Sequence, residues 1–261
     1  MASSLIGGLI ADSFDPNNIS VVEINGEKRE RLSNSFGIQT YESLENAVDS
    51  QDVVVFCVKP QQFKEVAVAA GKLLSTNVLV ISIAAGIRTA DICSWLGDDY
   101  AVVRAMSNTP ALVQSGASAL YANKNVSEEQ LNNAESLMRA IGIVEWIEDE
   151  ALMDVVTALS GSGPAYFFRI MEGLINGAEK LGLSKDVAHL LTLQTMLGAA
   201  KMALESQEDI ATLREQVTSP GGTTEQGLAV MNESDIDGLL LKILTAAKQR
   251  ATQLADQLGE P

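Results

Sequence analysis

The sequence has few of the residues that bind metals or form disulfides. Its 261 residues include two cysteines and one histidine. Cys57 and Cys93 show neither a CxxC spacing nor a histidine partner, so we expect reduced thiols, no metal site and no disulfide framework. His189 falls in a leucine-rich helical stretch, which disfavours a general base and therefore a hydrolase triad.

Positive charge is also scarce. Eighteen Lys and Arg residues face 34 Asp and Glu residues, and the formal net charge is -16. Nucleic acids and anionic membranes attract clustered Lys and Arg, so this balance argues against both as the main partner. Apolar stretches such as NVLVISIAAGI (77–87) are shorter than a membrane span, and no signal-peptide pattern opens the chain. We therefore predict a cytoplasmic protein that acts on small molecules, without a nucleic-acid or membrane partner.

Apolar residues, in contrast, are plentiful enough for a large core: 46% of the chain is hydrophobic. As far as residue 147, short β-branched runs alternate with helical stretches. The predicted strands cover 19–24, 52–58, 77–83, 100–106, 117–122 and 142–147, and the predicted helices cover 27–36, 42–49, 61–73, 89–96 and 127–141. Continuously apolar runs are typical of strands covered on both faces, so we predict a Rossmann-type, doubly wound parallel sheet.

From about residue 150 onward the pattern is helical throughout. Apolar residues recur at helical spacing from Phe167 to Ala178, from Ser184 to about 205, and from Ile236 to Leu258. We predict a dinucleotide-binding domain over 1–149 and an all-helical domain over 150–261. The helices carry more apolar surface than a small bundle buries, so we expect at least a homodimer, with packing on the α/β domain as the alternative.

The loops after the predicted strands are the expected ligand-binding positions, because open α/β sheets bind ligands at the carboxyl ends of their strands. Lys59-Pro60 and Ala84-Ala85-Gly86 follow two of the runs. Glu23 ends another, where dinucleotide-binding folds place an acidic residue on the adenosine ribose. An ordinary turn at Ala84–Gly86 and a solvated cation at Lys59 remain alternatives.

Two motifs of the helical half also carry functional signals. SPGGTT (219–224) offers free amides and two hydroxyls at the start of a helix, which suits a carboxylate, although an ordinary loop remains possible on the sequence alone. Glycines and a proline in SGSGP (160–164) interrupt a helical stretch and predict a kink or a close backbone contact, with a helix start at Pro164 as the alternative. Hydride transfer suits a chain without other catalytic groups, because the cofactor carries the difficult chemistry.

Six motifs together resemble one known family. VKP (58–60), SIAAGI (82–87), RAMSNTPAL (104–112), LSGSGPAY (159–166), LGAAKM (197–202) and VTSPGGTTEQGL (217–228) occur in the order typical of pyrroline-5-carboxylate reductases, and the similarity covers essentially the whole chain. The resemblance implies reduction of 1-pyrroline-5-carboxylate to L-proline by NADPH or NADH. It also implies a helical C-terminal domain that dimerises, often within larger rings of dimers.

The resemblance assigns roles to individual residues. It implies that the substrate iminium accepts hydride at C5, that no strong base is needed, and that the Thr224 hydroxyl is the catalytic group beside the ring nitrogen. The implied substrate-binding residues are Gly221, Gly222, Thr223 and Thr224. The implied cofactor-binding residues are Met1, Ala2, Glu23, Val58, Lys59, Pro60, Ala84, Ala85 and Gly86. Glu23 favours NADH over NADPH, and a neighbouring Lys28 or Arg29 would reverse that preference.

The chain departs from the family pattern at three places. Leu44 stands where many relatives have Asn near the adenosine, and Ser107 stands where bacterial relatives often have Pro. Family members also begin with a strand and a GxGNMA-like turn, and Met1 and Ala2 align with the last two residues of that turn. The resemblance thus implies a truncated first strand, and we expect its loss to leave two neighbouring strands partly unpaired and to weaken pyrophosphate binding.

Two other readings stay open on the sequence alone. A β-hydroxyacid dehydrogenase or another imine reductase shares this domain order, but it needs a catalytic Lys or Asp in the interdomain helix, for which 166–180 offers no clear equivalent. The other reading is a non-catalytic, dimeric binding protein that lacks an intact cofactor turn.

Overall fold

The first half of the chain alternates strands and helices. The structure is a computed structural model that describes residues 1–48, 50–97 and 99–259. The elements of this half are α1 (Ala2–Ala11), β1 (Ser20–Val22), α2 (Gly26–Phe36), β2 (Gln39–Tyr41), β3 (Val53–Phe56), α3 (Pro60–Ala70), β4 (Leu79–Ser82), α4 (Thr89–Leu96), β5 (Ala101–Met106), β6 (Gly116–Ala122), α5 (Glu128–Arg139) and β7 (Gly142–Trp146).

The second half is helical among the residues described. Its elements are α6 (Met153–Val156), a π-helical turn (Thr157–Gly161), α7 (Gly163–Lys180), α8 (Lys185–Glu205), α9 (Ile210–Gln216), α10 (Thr223–Glu233) and α11 (Ile236–Leu258). The chain forms two compact units: the first comprises Met1–Ser162 with Ala246–Pro261, and the second comprises Gly163–Thr245. The last turns of α11 therefore belong to the first unit. Compact units need not coincide with domains, so the boundary between 149 and 150 stays a prediction.

The strands form two sheets in the first unit. One holds β1 and β2 in parallel, and the other has the order β3-β4-β5-β6-β7. Each pair in the larger sheet is parallel except β5 and β6, which are antiparallel. A short 3₁₀ turn, Thr109–Val113, joins those two strands, and it is too short for the crossover that a parallel pair requires. β1 and β3 each have one edge without a hydrogen-bonded strand among the described residues.

Both faces of the larger sheet are buried, which explains its continuously apolar strands. Val80 and Val102 belong to one core cluster, whereas Leu79, Ile81 and Val103 belong to the other, as the alternation of side chains along a strand requires. α3 and α4 contribute Phe63 and Ile92 to the first cluster, and α5 contributes Met138 to the second. The predicted doubly wound arrangement is confirmed.

Two local predictions need correction. The sequence predicts no strand at β2, because Gln39-Thr40-Tyr41 is short and polar, yet it pairs with β1 along its whole length. The predicted helix over 42–49 is instead a 3₁₀ turn at Leu44–Asn46. Ala47 and Val48, which follow that turn, are buried. Residue 49 lies outside the described residues.

The helices of the second unit carry a large exposed apolar surface. α7 and α8 pack against each other, but many of their apolar side chains point to solvent. Exposed fractions reach 63% for Phe168, 67% for Leu190 and 55% for Leu197. An exposed apolar surface of this kind is typical of contact sites for another protein, a membrane or a ligand.

Within the described part of the chain, one helix is long and apolar enough to span a membrane by length and composition. It is α8, which has 21 residues and contains an 18-residue window with a mean hydropathy of 1.2. It is longer than the apolar stretches on which the prediction of no membrane partner was based, so that prediction stays untested. A helix that buries its apolar side chains against another subunit has the same composition.

Candidate active site

The loops after β3 and β4 lie side by side in the first unit. β3 pairs with β4 in parallel, with Phe56 opposite Ser82, and the Ile83 amide donates to the Phe56 carbonyl at 3.3 Å. The structure thus brings together two of the predicted cofactor segments, Val58–Pro60 and Ala84–Gly86. Pro60 opens α3, where a proline needs no amide donor, and Lys59 precedes it in extended conformation without a side-chain cap.

Buried groups fix the conformation of the loop after β4, residues 84–86, which we call the β4 loop. The Ser82 hydroxyl is fully buried and accepts a hydrogen bond from the Ala84 amide at 3.3 Å. Ala84 and Ile87 are buried, whereas Ala85 between them is exposed. Gly86 has a φ of +76°, a left-handed conformation that favours glycine. The sequence Ala-Ala-Gly therefore forms a fixed turn in which Ala85, with its small side chain, is the residue exposed to a ligand.

Glu23 follows β1 and is surrounded by polar contacts. Its carboxylate accepts a hydrogen bond from the Asn25 amide at 2.9 Å and lies 3.9 Å from the Lys28 ammonium. Arg29 donates to the Glu23 and Ile24 carbonyls and pairs with a carboxylate at the end of β2. The charge of Glu23 is therefore partly compensated by a neighbour. β1 is not hydrogen-bonded to β3, so backbone pairing does not join Glu23 to the β3 and β4 loops.

Met1 and Ala2 form the beginning of α1. No side chain caps this helix, so its first amides are available, as at helix ends that bind phosphate. Beside its first turns is a cavity of about 310 Å³. Ser4 lines the cavity, and its buried hydroxyl has no hydrogen-bond partner among the residues that the structure describes. An unsatisfied buried hydroxyl next to free amides is compatible with an anionic ligand at this end of the unit.

The SPGGTT segment forms a tight turn and a helix start in the second unit. The Gly222 amide donates to the Ser219 carbonyl at 3.0 Å, and Gly221 has a φ of +73°, as expected for a type II turn with proline before glycine. A Cβ on Gly222 would lie 2.6 Å from the Ser219 hydroxyl oxygen. The turn thus accounts for both glycines.

The residues after that turn are available for a ligand. No side chain caps α10, whose first residues are Thr223 and Thr224. Both threonines are exposed, and neither hydroxyl is hydrogen-bonded to any residue that the structure describes. The Gly221 amide is already engaged, because it donates to the Glu225 carboxylate at 2.8 Å. The free amides of Thr223 and Thr224 and their hydroxyls are therefore the groups that can bind a carboxylate here.

The two positions that depart from the family pattern are partly buried. Leu44 opens a 3₁₀ turn and packs against the core cluster that contains Phe56 and Phe63. Its role here is in packing, and it offers no polar group to an adenosine. Ser107 follows β5, and its buried hydroxyl has no partner within the described part of the chain. Proline at this position would remove that unsatisfied hydroxyl.

Sequence reasoning missed the contacts that join distant motifs within the first unit. The Asn108 side chain accepts from the Ala117 amide at 3.0 Å and donates to the Ser160 carbonyl at 3.1 Å. A Cβ on Gly161 would lie 2.3 Å from the Met106 methyl group, so the predicted close backbone contact of SGSGP is confirmed. These motifs were visible in the sequence, but their partners lie about fifty residues away and give no local signal.

The fold and its loops define a dinucleotide-binding oxidoreductase with a helical second half. Residues 1–86 match the family model "NADP oxidoreductase coenzyme F420-dependent", and residues 150–254 match "Pyrroline-5-carboxylate reductase dimerisation". The chain is 48% identical to the pyrroline-5-carboxylate reductase of Pseudomonas aeruginosa over 260 residues, which is 100% of this chain and 95% of the relative. The chain belongs to the pyrroline-5-carboxylate reductase family.

Other relatives and solved structures agree with this assignment. The reductase of Pisum sativum is 36% identical over 98% of this chain and 93% of its own length. A structure of the reductase from Coxiella burnetii superposes with a TM-score of 0.94 at 46% identity and covers 97% of this chain and 94% of that one. The Plasmodium falciparum enzyme, solved with NADP bound, gives a TM-score of 0.85 at 27% identity over the same shares.

Proposed function

We propose that this chain reduces 1-pyrroline-5-carboxylate to L-proline with NADPH or NADH, the last step of proline biosynthesis. The observation that carries the proposal is the 48% identity to a reductase of that name along the whole chain. The order of the two matched segments supports the proposal. Residues 1–86 match a model of NADP oxidoreductases, and residues 150–254 match the dimerisation model of the reductase family. We keep the division into a dinucleotide-binding domain over 1–149 and a helical domain over 150–261 as part of this proposal.

The substrate carboxylate would be bound at Gly221–Thr224. Support comes from the free amides at the start of α10, the left-handed Gly221 and the two unpaired threonine hydroxyls. A helix N-terminus stabilises a negative charge through its amides and its dipole. Thr224 would donate or accept a hydrogen bond beside the ring nitrogen, where the iminium loses its positive charge. No side chain with a strong base is needed for this step.

The cofactor would be held by segments of the first unit, and the residues present fit it. The uncapped start of α1 at Met1 and Ala2 suits the pyrophosphate, and the loops Val58–Pro60 and Ala84–Gly86 suit the nicotinamide side. The reduced nicotinamide supplies the hydride. The small residues of the β4 loop let its backbone approach a flat ring closely, and two fixed loops hold that ring in one orientation.

Glu23 would contact the adenosine ribose. Its carboxylate accepts from a free 2′-hydroxyl and repels a 2′-phosphate, whereas Lys28 at 3.9 Å offers a compensating charge. We propose a modest preference for NADH, with NADPH accepted as well. Two oppositely charged side chains at this position support a mixed preference better than a strict one.

The second unit would form the interface of a homodimer, which could assemble further into a ring of dimers in the cytoplasm. The apolar side chains of α7 and α8 that point to solvent support this, as does the match of 150–254 to a dimerisation model. Burial of α8 against a partner would also account for its apolar composition without a membrane.

The proposed function is tested by oxidation of NADPH and NADH in the presence of the cyclic imine, with the Thr224→Ala variant beside the parent. We expect kcat/KM for the imine to fall about tenfold in the variant, the value of one hydrogen bond of ~1.4 kcal/mol, with cofactor affinity unchanged. Thr224→Ser keeps the hydroxyl and should retain most of the activity. A parent without imine-dependent oxidation refutes the function, and equal kinetics in Thr224→Ala remove Thr224 from the site.

A further inference from the structure

The C-terminal end of α11 packs directly against the β4 loop through Ala255 and Leu258. Ala255 is fully buried, and Ala251 one turn earlier is 7% exposed. Gly86 faces them: a Cβ on this residue would lie 3.5 Å from the Ala255 amide nitrogen and 3.3 Å from Leu258 Cδ1. The loop and the helix are thus at van der Waals contact, and both belong to the first compact unit.

An ion pair also joins the segment after the β4 loop to α11. Arg88 directly follows the buried Ile87, and its Nη2 donates to Asp256 Oδ1 at 2.6 Å. This hydrogen bond raises the pKa of the Arg88 guanidinium above its ordinary value. Just beyond the helix, a Cβ on Gly259 would lie 2.7 Å from the Asp91 carboxylate. The end of α11 therefore also touches the first turn of α4.

A second set of contacts holds the helix from the other side. Thr252 Oγ1 donates to Asp154 Oδ2 at 2.7 Å, and Asp154 lies 3.7 Å from the buried Arg104 guanidinium. Arg104 also pairs with Glu150 at 3.3 Å, and the Glu150 carboxylate accepts from the Thr89 amide and hydroxyl at 2.8 and 2.7 Å. These groups connect α11 through α6 and β5 back to the start of α4, the helix that follows the β4 loop.

We propose that residues 251–259, the end of α11 and the glycine that follows it, are a positioning element for the β4 loop, with Arg88 and Asp256 as its positioning pair. The inference rests on the proposed function, in which Ala84–Gly86 holds the nicotinamide side of the cofactor. A left-handed glycine makes this loop adaptable in isolation. The buried Ala255, the Leu258 side chain and the Arg88–Asp256 pair fix it in one conformation, so the free chain presents the loop already arranged for the cofactor.

The experiment uses the full-length chain with Asp256→Arg, which places two cations face to face. We expect the Kd for the reduced cofactor, measured by nicotinamide fluorescence without substrate, to rise about tenfold. The KM for the imine and kcat at saturating cofactor should stay within about twofold. Hydrogen exchange at the Gly86 and Ile87 amides of the free chain should become at least ~10-fold faster, because the loop is released.

Two further variants complete the design. Reversal of the pair, Arg88→Asp with Asp256→Arg, should restore both the Kd and the slow exchange. Gln257→Arg alters an exposed neighbour on the same turn and should change neither. If Asp256→Arg does not fold, Asp256→Asn replaces it, with a rise in Kd of about threefold.

The outcomes separate the two proposals. Unchanged loop exchange and an unchanged Kd in the Asp256 variant overturn the positioning role, even if the parent reduces the imine. A raised Kd that the reversed pair fails to restore overturns it as well. A parent that binds NAD(P)H but does not reduce the imine refutes the proposed function, and it leaves the positioning role to be decided by the exchange and binding data.

Discussion

The thiol of Cys57 lies between β3 and the β3 loop, and its surroundings suppress its ionisation. Although part of the residue is exposed, neighbouring protein atoms desolvate the thiolate and raise the pKa of the Cys57 thiol from 9.0 to about 11. At pH 8 the thiolate is then about 100-fold rarer than in an ordinary thiol. The higher intrinsic nucleophilicity of a basic thiolate offsets roughly tenfold of this.

We therefore predict that Cys57 is alkylated by iodoacetamide at pH 8 about tenfold more slowly than a cysteine in a short peptide. The measurement uses the Cys93→Ala variant, so that Cys57 is the single thiol. Its rate should rise about tenfold per pH unit between 8 and 10, with a midpoint near 11. A midpoint between 8.5 and 9 would show that the thiol is not desolvated.

A second prediction at this scale concerns the choice between NADPH and NADH, because the Glu23 carboxylate beside the ribose would disfavour a 2′-phosphate. Replacement of Glu23 by Ser removes the charge and leaves Lys28 and the tethered Arg29 in place. We expect the ratio of kcat/KM for NADPH to that for NADH to rise about tenfold. Glu27→Ser, in the first turn of α2 next to Lys28, is the matched control and should leave the ratio unchanged. A ratio within twofold of the parent's would place Glu23 outside the cofactor site.

At the scale of elements, a buried charge cluster joins β5 to the helices around it. The side chains of Arg104, Glu150 and Asp154 are 4%, 19% and 12% exposed. Removal of Arg104 leaves two carboxylates with little solvent and without the cation that pairs with both of them, which is far more costly than loss of a surface pair.

We predict that Arg104→Met lowers the free energy of unfolding by about 3–5 kcal/mol. Arg139→Met, which breaks the exposed pair with Glu135 in α5, should cost less than about 1 kcal/mol. Urea denaturation of both variants at one protein concentration gives the comparison. Equal losses would mean that the Arg104 cluster is solvated and contributes little.

The elements also show what could be predicted from the sequence. The strands rich in Val and Ile, and the helix behind the Ser127–Gln130 capping box, follow from local patterns and are present as predicted. β2 could not be predicted, because its three polar residues are extended only through their pairing with β1. β6 is antiparallel to β5 because the connection between them, which contains a 3₁₀ turn, is short. The apolar pattern of the strand does not predict its direction.

In the candidate site, too, the local features could be predicted from the sequence and the long-range contacts could not. Glycine and small residues after β4 and in SPGGTT are local signals, and both segments contain a left-handed glycine, Gly86 and Gly221, with exposed residues at Ala85 and at Thr223 and Thr224. The contacts that hold the β4 loop are long-range: Arg88 and Asp256 are 168 residues apart in the chain. A single sequence carries no signal for such a pair, because the sequence predicts only that an arginine and an aspartate on the surface are solvated, and not that they contact each other.

At the scale of the whole molecule, the exposed apolar face of α7 and α8 is the surface that the proposed homodimer would bury. An isolated chain would present Leu190 and Leu197 to water at 67% and 55% exposure, together with neighbouring phenylalanines of α7. Burial of each such side chain in an interface contributes about 1–2 kcal/mol. In the proposed homodimer a second copy of the chain would supply the matching apolar face, and the match of residues 150–254 to a dimerisation model supports this.

We predict that the parent elutes with light-scattering at twice or more the 27.8 kDa mass of one chain. Leu197→Asp should raise the dimer dissociation constant at least ~100-fold, because two unpaired carboxylates would have to lose their water in the interface. Leu73→Asp is the matched control: this leucine is 42% exposed and lies outside the residues that match the dimerisation model, so the assembly should survive. If Leu197→Asp remains dimeric at micromolar concentration, α8 is not at the interface, and the apolar surface of the second unit must be covered in another way.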